Sequence, residues 1–312
     1  MSNRLPVLGA VLALLGLPPG VALLEAVSFE VHNRNNGSIV SSGEKREYLL
    51  YVPDSYDPAT PTPLVVTLHG GAIWPALQRD MSEWNRVAES EGFIVAYPAG
   101  LPVQGSGPRG WQVTPPGPGV EKDVRFIADL IDAIGNAHNI DPGRIYANGL
   151  SNGGGMAFAL SCTLSDRFAA IGLVAAARML PWSWCEDARP MPMISFHGTA
   201  DRIVPYRGGS TFVWSDSFPD VSDWTAEWAR RNRCRPDAVE FRVAVDVTRR
   251  VYNDCADDAA VVLFTLDGGG HTWPGGMPMP KWFLGQTSDS VDATEQMWAF
   301  FAKQRLASER LR

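Results

Sequence analysis

Histidine is scarce in this 312-residue chain, five in all, and cysteine scarcer still, at four. There is no His-Glu-x-x-His segment and no cluster of Cys and His at ligand spacing, so the common zinc-hydrolase patterns are excluded. Internal repeats and low-complexity tracts are also missing, which removes solenoids and disordered tails from consideration. Basic residues are outnumbered, 27 against 34 acidic, for a net charge of −7. That balance argues against nucleic acid or an anionic membrane as the main partner. An apolar content of 45% is ordinary for a globular protein. The length suffices for one large α/β domain with a full core, or for two small ones.

The N-terminus resembles a targeting segment. Arg4 precedes an apolar run from Leu5 to Leu17, followed by Pro18-Pro19-Gly20 and Val21 to Leu24. Leu24-Glu25-Ala26 is a loose match to a small-x-small cleavage site. An uncleaved anchor is the rival, although Pro18-Pro19-Gly20 would break a spanning helix. The expectation is therefore a signal peptide or N-terminal anchor over residues 1–26 and a single catalytic domain over residues 27–312. Export to the periplasm or the extracellular space goes with it. The cysteines fit an oxidising compartment. They form two close pairs, Cys162 with Cys185 and Cys234 with Cys255. Three connectivities are possible and the sequential one is expected. Each closed loop of about 20 residues would stabilise by roughly 3 kcal/mol on a chain-entropy estimate. Four buried thiols in a cytosolic enzyme is the competing reading.

Apolar runs at Tyr48–Val52, Pro63–Leu68, Phe93–Tyr97, Arg144–Asn148, Ala170–Val174, Pro192–Phe196 and Val261–Leu266 read as strands. Helical stretches are expected from about Met81 to Glu91, through Val124, Ile127, Ile131 and Ile134, and over Gly154–Leu164, Val221–Arg233 and Ala293–Arg305. Residues 101 to 119, dense in Gly and Pro, read as a loop. From about residue 62 strand and helix alternate, which predicts an α/β fold with a mainly parallel central sheet and helices on both faces. Reactive groups then belong at the carboxyl ends of strands.

Gly149-Leu150-Ser151-Asn152-Gly153 lies at such an end, between the strand through Asn148 and the helix from Gly154. A G-x-S-x-G at a strand-to-helix turn is a nucleophile elbow. The serine needs strained backbone and neighbours without bulk, and the helix N-terminus behind it favours a developing anion. A bare G-x-S-x-G also arises by chance, so the base and acid matter. His32 lies in a polar N-terminal segment, His138 ends a helix, and His69 belongs to Leu68-His69-Gly70-Gly71. His197 stands too close to the expected acid. His271 remains, on the glycine-rich loop Gly268–Pro274 after a strand. Asp201 follows the strand ending at Phe196, and the order Ser151, Asp201, His271 is that of α/β-hydrolase triads. Asp254, Asp257 and Asp258 cluster by Cys255 and read as a solvated turn. For the oxyanion, the N–H of Asn152 is one expected donor and that of Gly71 the other, with Ala72 second to Gly71. Such donors are worth on the order of 3 kcal/mol each.

On these residues the chain resembles the secreted polyhydroxybutyrate depolymerase and feruloyl esterase group of α/β-hydrolases. The matching segments are Tyr48–Pro53, Leu68–Gly71, Asn139–Pro142, Gly149–Gly154, His197–Asp201 with Val204-Pro205-Tyr206, and Gly269–Gly276, within about residues 43 to 305. The resemblance implies an α/β-hydrolase fold and hydrolysis of carboxylic esters, with Ser151 as nucleophile, His271 as base then acid, and Asp201 orienting it. It also favours pairing of Cys234 with Cys255. The loop Gly71-Ala72-Ile73-Trp74 departs from a run of small residues and implies a narrower, more aromatic mouth. Trp74, Trp111 and Trp273 are accordingly expected as substrate contacts. The partner expected is an ester, small or polymeric. No cofactor, metal, nucleic acid or obligate protein partner is expected, and no membrane beyond an N-terminal anchor. The alternatives are a serine peptidase of the same fold, which would usually bring an extra domain or a charged pocket, and a non-catalytic binding protein, which tends to lack a triad member.

Overall fold

In the computed structural model of the protein, the described residues are 35–102, 109–113, 118–177, 180–211 and 218–307. The expected leader over residues 1–26 and His32 lie outside them. Strands are β1 (Gly37–Ser41), β2 (Glu44–Tyr51), β3 (Thr62–Leu68), β4 (Ile94–Pro98), β5 (Leu101–Pro102), β6 (Arg109–Gly110), β7 (Ile140–Leu150), β8 (Ala170–Val174), β9 (Met193–Gly198), β10 (Val239–Ala244), β11 (Val247–Tyr252) and β12 (Val261–Leu266). Helices are α1 (Pro75–Ser82), α2 (Trp84–Glu91), α3 (Pro118–Ala137), α4 (Asn152–Thr163), α5 (Val221–Arg231), α6 (Lys281–Leu284) and α7 (Ala293–Phe301).

Ten strands form one sheet in the order β1-β2-β4-β3-β7-β8-β9-β12-β11-β10. The six from β4 to β12 are parallel, and antiparallel strands extend both edges. Every residue of β3, β4 and β8 is buried, as a strand covered on both faces requires. Their side chains alternate between two cores. Leu64, Val66 and Leu68 pack with residues of α3, α4 and α5, whereas Val65 packs with residues of α1, α2 and α7. The chain order reverses between β3 and β7, because β3 is followed by β4 on one side and then by β7 on the other. A crevice at the carboxyl ends of those two strands is where a sheet of this type holds ligands. Register aligns them there, with Leu68 opposite Gly149.

The expected core strands are all present. The helix expected from Met81 to Glu91 is two helices, because Glu83 takes a left-handed φ of 52° and its N–H closes α1 on the Arg79 carbonyl. Pro75 opens α1 at its first turn. Within the stretch read as a loop, β5 and β6 pair and α3 begins at Pro118. The β10–β11 hairpin and β1 are additions to the strands expected. Cys162 pairs with Cys185 and Cys234 with Cys255, the sequential pattern. Among the described residues no helix is long and apolar enough to cross a membrane.

Candidate active site

Ser151 sits between β7 and α4 at φ 54° and ψ −119°, a conformation that costs an L-residue about 1–3 kcal/mol. The fold holds it there from both sides. Its N–H donates to the Val174 carbonyl at 2.9 Å, and its own carbonyl accepts from Gly155 N–H at 2.9 Å. The flanking glycines are obligatory for packing. A Cβ at Gly149 would collide with the backbone of Gly153, and one at Gly153 with the carbonyls of Leu68 and His69.

Asp201 and His271 meet across two neighbouring parallel strands. Gly198, the last residue of β9, pairs with Leu266, the last of β12, so the loops that follow emerge side by side. Asp201 Oδ1 accepts from the N–H groups of Ile203 and Val204 at 2.8 and 2.9 Å. Those two bonds fix its rotamer and leave Oδ2 at 2.8 Å from His271 Nδ1. Burial alone would raise the Asp201 pKa. The charge of His271 and hydrogen bonds from His197 and His271 outweigh it and hold the carboxyl well below its usual value. Asp201 is therefore ionised, and Nδ1 of His271 carries the proton it receives. Nε2 is left on the opposite edge of the ring, the nitrogen a base would use. The His271 backbone is tied by its N–H to the Leu284 carbonyl at 2.6 Å.

His197 is not placed as a base. Its Nε2 donates to the Val204 carbonyl at 2.8 Å and lies 3.5 Å from Asp201 Oδ2. The ring braces the Asp201 turn from behind, a part that sequence order alone does not reveal.

The loop after β3 closes over the start of α4. Gly71 lies directly against the Asn152 side chain, so a Cβ there would touch it at 3.4 Å. The N–H of Ala72 is committed to the Arg109 carbonyl at 2.8 Å, which favours Gly71 over Ala72 as the second donor. Asn152 is the first residue of α4, whose leading N–H groups have no partner within the helix. Its side chain clamps the Trp111 backbone, accepting from its N–H at 2.7 Å and donating to its carbonyl at 3.0 Å. The Trp111 indole N–H in turn reaches the His69 carbonyl at 2.9 Å. His69 is fully buried, accepts the Gly100 N–H on Nε2 at 3.0 Å, and bonds the Gly70 carbonyl through Nδ1 at 2.8 Å. Burial pushes its pKa down to about 4, so it is neutral near pH 7.

The three tryptophans expected at the mouth separate. Trp273 is fully buried, with its indole N–H on Thr294 Oγ1 at 2.9 Å, so it cannot be a substrate contact. Its place next to His271 in sequence comes from the loop crossing the core. Trp111 is 4% exposed and serves as the prop just described, which corrects its expected role as well. Trp74, half-buried at the N-cap of α1, is the one still open to solvent. Sequence reasoning overlooked two exposed aromatics, Trp282 and Phe283, on the segment that carries Leu284. The signal available was an apolar stretch, Met277 to Leu284, directly after the histidine loop. Among the described residues no group of three or more His, Cys, Asp or Glu side chains is placed to hold a metal ion.

A protein-family model described as "Putative esterase" matches residues 39–251. Among curated proteins, feruloyl esterase B of Piromyces equi is 30% identical over 232 residues, covering 72% of this chain and 42% of that protein. "Putative esterase NocK" of Nocardia uniformis subsp. tsuyamanensis is 31% identical over 262 residues, 76% of this chain and 73% of that one. This chain thus spans less than half the length of the Piromyces protein. Among solved structures, an acetyl xylan esterase from Aspergillus awamori superposes with a TM-score of 0.55 at 16% identity. It covers 82% of this chain and 94% of its own, a likeness of fold. The fold is that of the α/β-hydrolases, as the sheet order and helix layers indicate.

Proposed function

The chain belongs to the esterase family, and from that premise we propose that it is an exported carboxylic-ester hydrolase working through an acyl-enzyme. The observation that carries this reading is the Asp201–His271 hydrogen bond, 2.8 Å, between loops seventy residues apart in sequence. Ser151 is the nucleophile. Its Oγ gives a proton to Nε2 of His271 as it attacks the ester carbonyl, and Asp201 stabilises the imidazolium that forms. The oxyanion is received by the N–H groups of Gly71 and Asn152, and the alcohol leaves with the proton returned by His271. Water, deprotonated by the same ring, then releases the acid. The chemistry requires no cofactor.

The domain over residues 27–312 is taken as a single catalytic unit, and the two disulfides support export. The substrate is an ester of feruloyl or hydroxyalkanoate type. The feruloyl side is supported by the named Piromyces relative. The hydroxyalkanoate side rests on the motif resemblance.

Turnover of methyl ferulate and of a 3-hydroxybutyrate oligomer, wild type beside Ser151→Ala, tests the reading. The variant should keep its melting temperature and lose roughly 10⁴-fold or more in kcat. A fluorophosphonate should label the wild type alone. Turnover that survives in Ser151→Ala would overturn the assignment.

A further inference from the structure

One edge of the central sheet carries a residue order that is complementary to itself. β10 is paired by β11 alone, so the backbone N–H and C=O groups on its outer side meet no strand of this sheet. Its residues run Val239-Glu240-Phe241-Arg242-Val243-Ala244. Val239 stands opposite Val251, which belongs to the core under α7, so Val239 and Phe241 lie on that face of the sheet. The pairing shifts between Arg242 and Ala244, and Val243 stays on the same side, lining a cleft with Phe264 and Gln296. These three apolar side chains are 47%, 49% and 47% exposed. Glu240 and Arg242 lie on the other face. Arg250 holds Oε1 of Glu240 through Nε at 2.7 Å and Nη2 at 2.6 Å, which leaves Oε2 open to a second cation.

We propose that β10 is a self-association edge, to which a second copy of this chain adds its own β10 antiparallel about a two-fold axis between the two Phe241 residues. In that register Phe241 meets Phe241, Val239 meets Val243, and Glu240 meets Arg242, the last two pairs each occurring twice by symmetry. The charges select both the occupant and the register. A slip of one residue would set Phe241 against Glu240 or Arg242. A slip of two would set Glu240 against Glu240 or Arg242 against Arg242, and like charges directly opposite are destabilising. The other edge strand, β1, reads Gly-Ser-Ile-Val-Ser and has no charge to answer either residue. Head-to-tail growth into a filament is thereby disfavoured, and the contact closes as a pair. The shift at Val243 keeps the regular edge short, which limits it as a template for open-ended pairing. Such a contact is small beside the roughly 1,200–2,000 Å² of a standard interface, so a reversible dimer with a Kd in the micromolar range is expected.

This inference stands apart from the esterase reading, because β11 separates β10 from β12, the strand whose loop carries His271. Sedimentation of the full chain from about 1 µM to about 0.5 mM tests it, and the wild type should pass from monomer to dimer over that range. Arg242→Glu and Glu240→Arg each set like charges face to face twice in a self-pair. Each alone should weaken the dimer by about tenfold or more. Mixed in equal amounts, the two variants place acid against base at both contacts, and the dimer should return. A role confined to one copy predicts no such rescue. Because Glu240→Arg also meets Arg250 within its own copy, Phe241→Lys is an independent check. It brings two ammonium groups together at the axis and should abolish the dimer. Turnover of soluble p-nitrophenyl butyrate should stay within about twofold of wild type in Arg242→Glu and Phe241→Lys. A wild type that remains monomeric throughout would overturn the proposal. So would a dimer that survives Arg242→Glu or Phe241→Lys undiminished, or one that mixing two folded variants fails to restore.

Discussion

Two histidines in loops that follow parallel strands, His69 after β3 and His271 after β12, are both almost fully buried, and their surroundings make them opposites. His69 is held between the N–H of Gly100 and the carbonyl of Gly70, neutral partners that match its two nitrogens one to one. His271 faces the ionised carboxylate of Asp201 on one nitrogen, and its other nitrogen lies on the opposite edge of the ring. Burial alone would label them alike, since His69 is 0% and His271 6% exposed. Their partners differ, and that decides the chemistry. A histidine satisfied by backbone on both sides is a strut that keeps its proton count fixed. One paired with a carboxylate is stabilised as it gains charge, as a general base requires.

The comparison breaks most sharply at Asp201. Asp201→Asn keeps the size of the side chain but replaces an ionised acceptor, so His271 loses the group that fixes its tautomer and stabilises its cation. The expected result is a fall in kcat of about 10⁴-fold with the fold retained. Single-turnover kinetics on a soluble ester, with circular dichroism as control, measures it. A loss under about tenfold would mean that His271 does not depend on this partner.

At His69 the same comparison becomes a stability measurement. Unfolded histidine titrates near 6.5, and the native ring is pushed down to about 4 by burial. Between those values the unfolded chain binds a proton that the native state refuses. Stability from this residue is therefore complete above about pH 6.5 and is lost as the pH falls toward 4. Between pH 7 and pH 5 the loss should be about 2 kcal/mol. Asp201 acts in a separate window. Its depressed pKa supplies stability above the unfolded carboxyl value, near 3.9, that disappears only in stronger acid. His69→Gln can still accept from Gly100 and donate to Gly70 but cannot titrate. Urea unfolding at pH 7 and pH 5 should show a smaller pH difference in His69→Gln than in wild type, and equal differences would refute the account.

What was legible in the sequence follows the same division between local and partner-dependent information. The parallel core strands could be read because each is a short, mainly apolar run, a pattern carried by the strand itself. Ser151 could be read because its demands are local: three glycines and a strand-to-helix junction. Asp201 and His271 could be placed by chain order, since each follows a strand end. The break at Glu83 was hidden, because a glutamate in the left-handed region carries no local sign of it. The exposed alternation of β10, Val239-Glu240-Phe241-Arg242, is visible in the letters, yet it competes with no core and marks only a sheet edge. The tryptophans misled for a related reason. Nearness to a motif in sequence does not say which side of the loop a ring lies on, and tertiary packing decided that for Trp111 and Trp273.

The smallest expected effect tests that last distinction. Trp273 lies two residues beyond His271, yet its indole N–H bonds Thr294, whose hydroxyl donates to the Ser82 carbonyl. The ring thus joins the histidine loop to the end of α1 and the start of α7, inside the core. Trp273→Phe removes the donor and some volume while keeping an aromatic ring. Thr294 retains its bond to Ser82, so the cost should be about 1–3 kcal/mol in urea unfolding. Catalysis should hardly respond, with kcat/KM for methyl ferulate within about twofold of wild type. A substrate contact would behave the other way, raising KM for bulky aryl esters while leaving stability nearly untouched. Measuring both quantities on one variant separates a ring that supports the base from a ring that meets the ester.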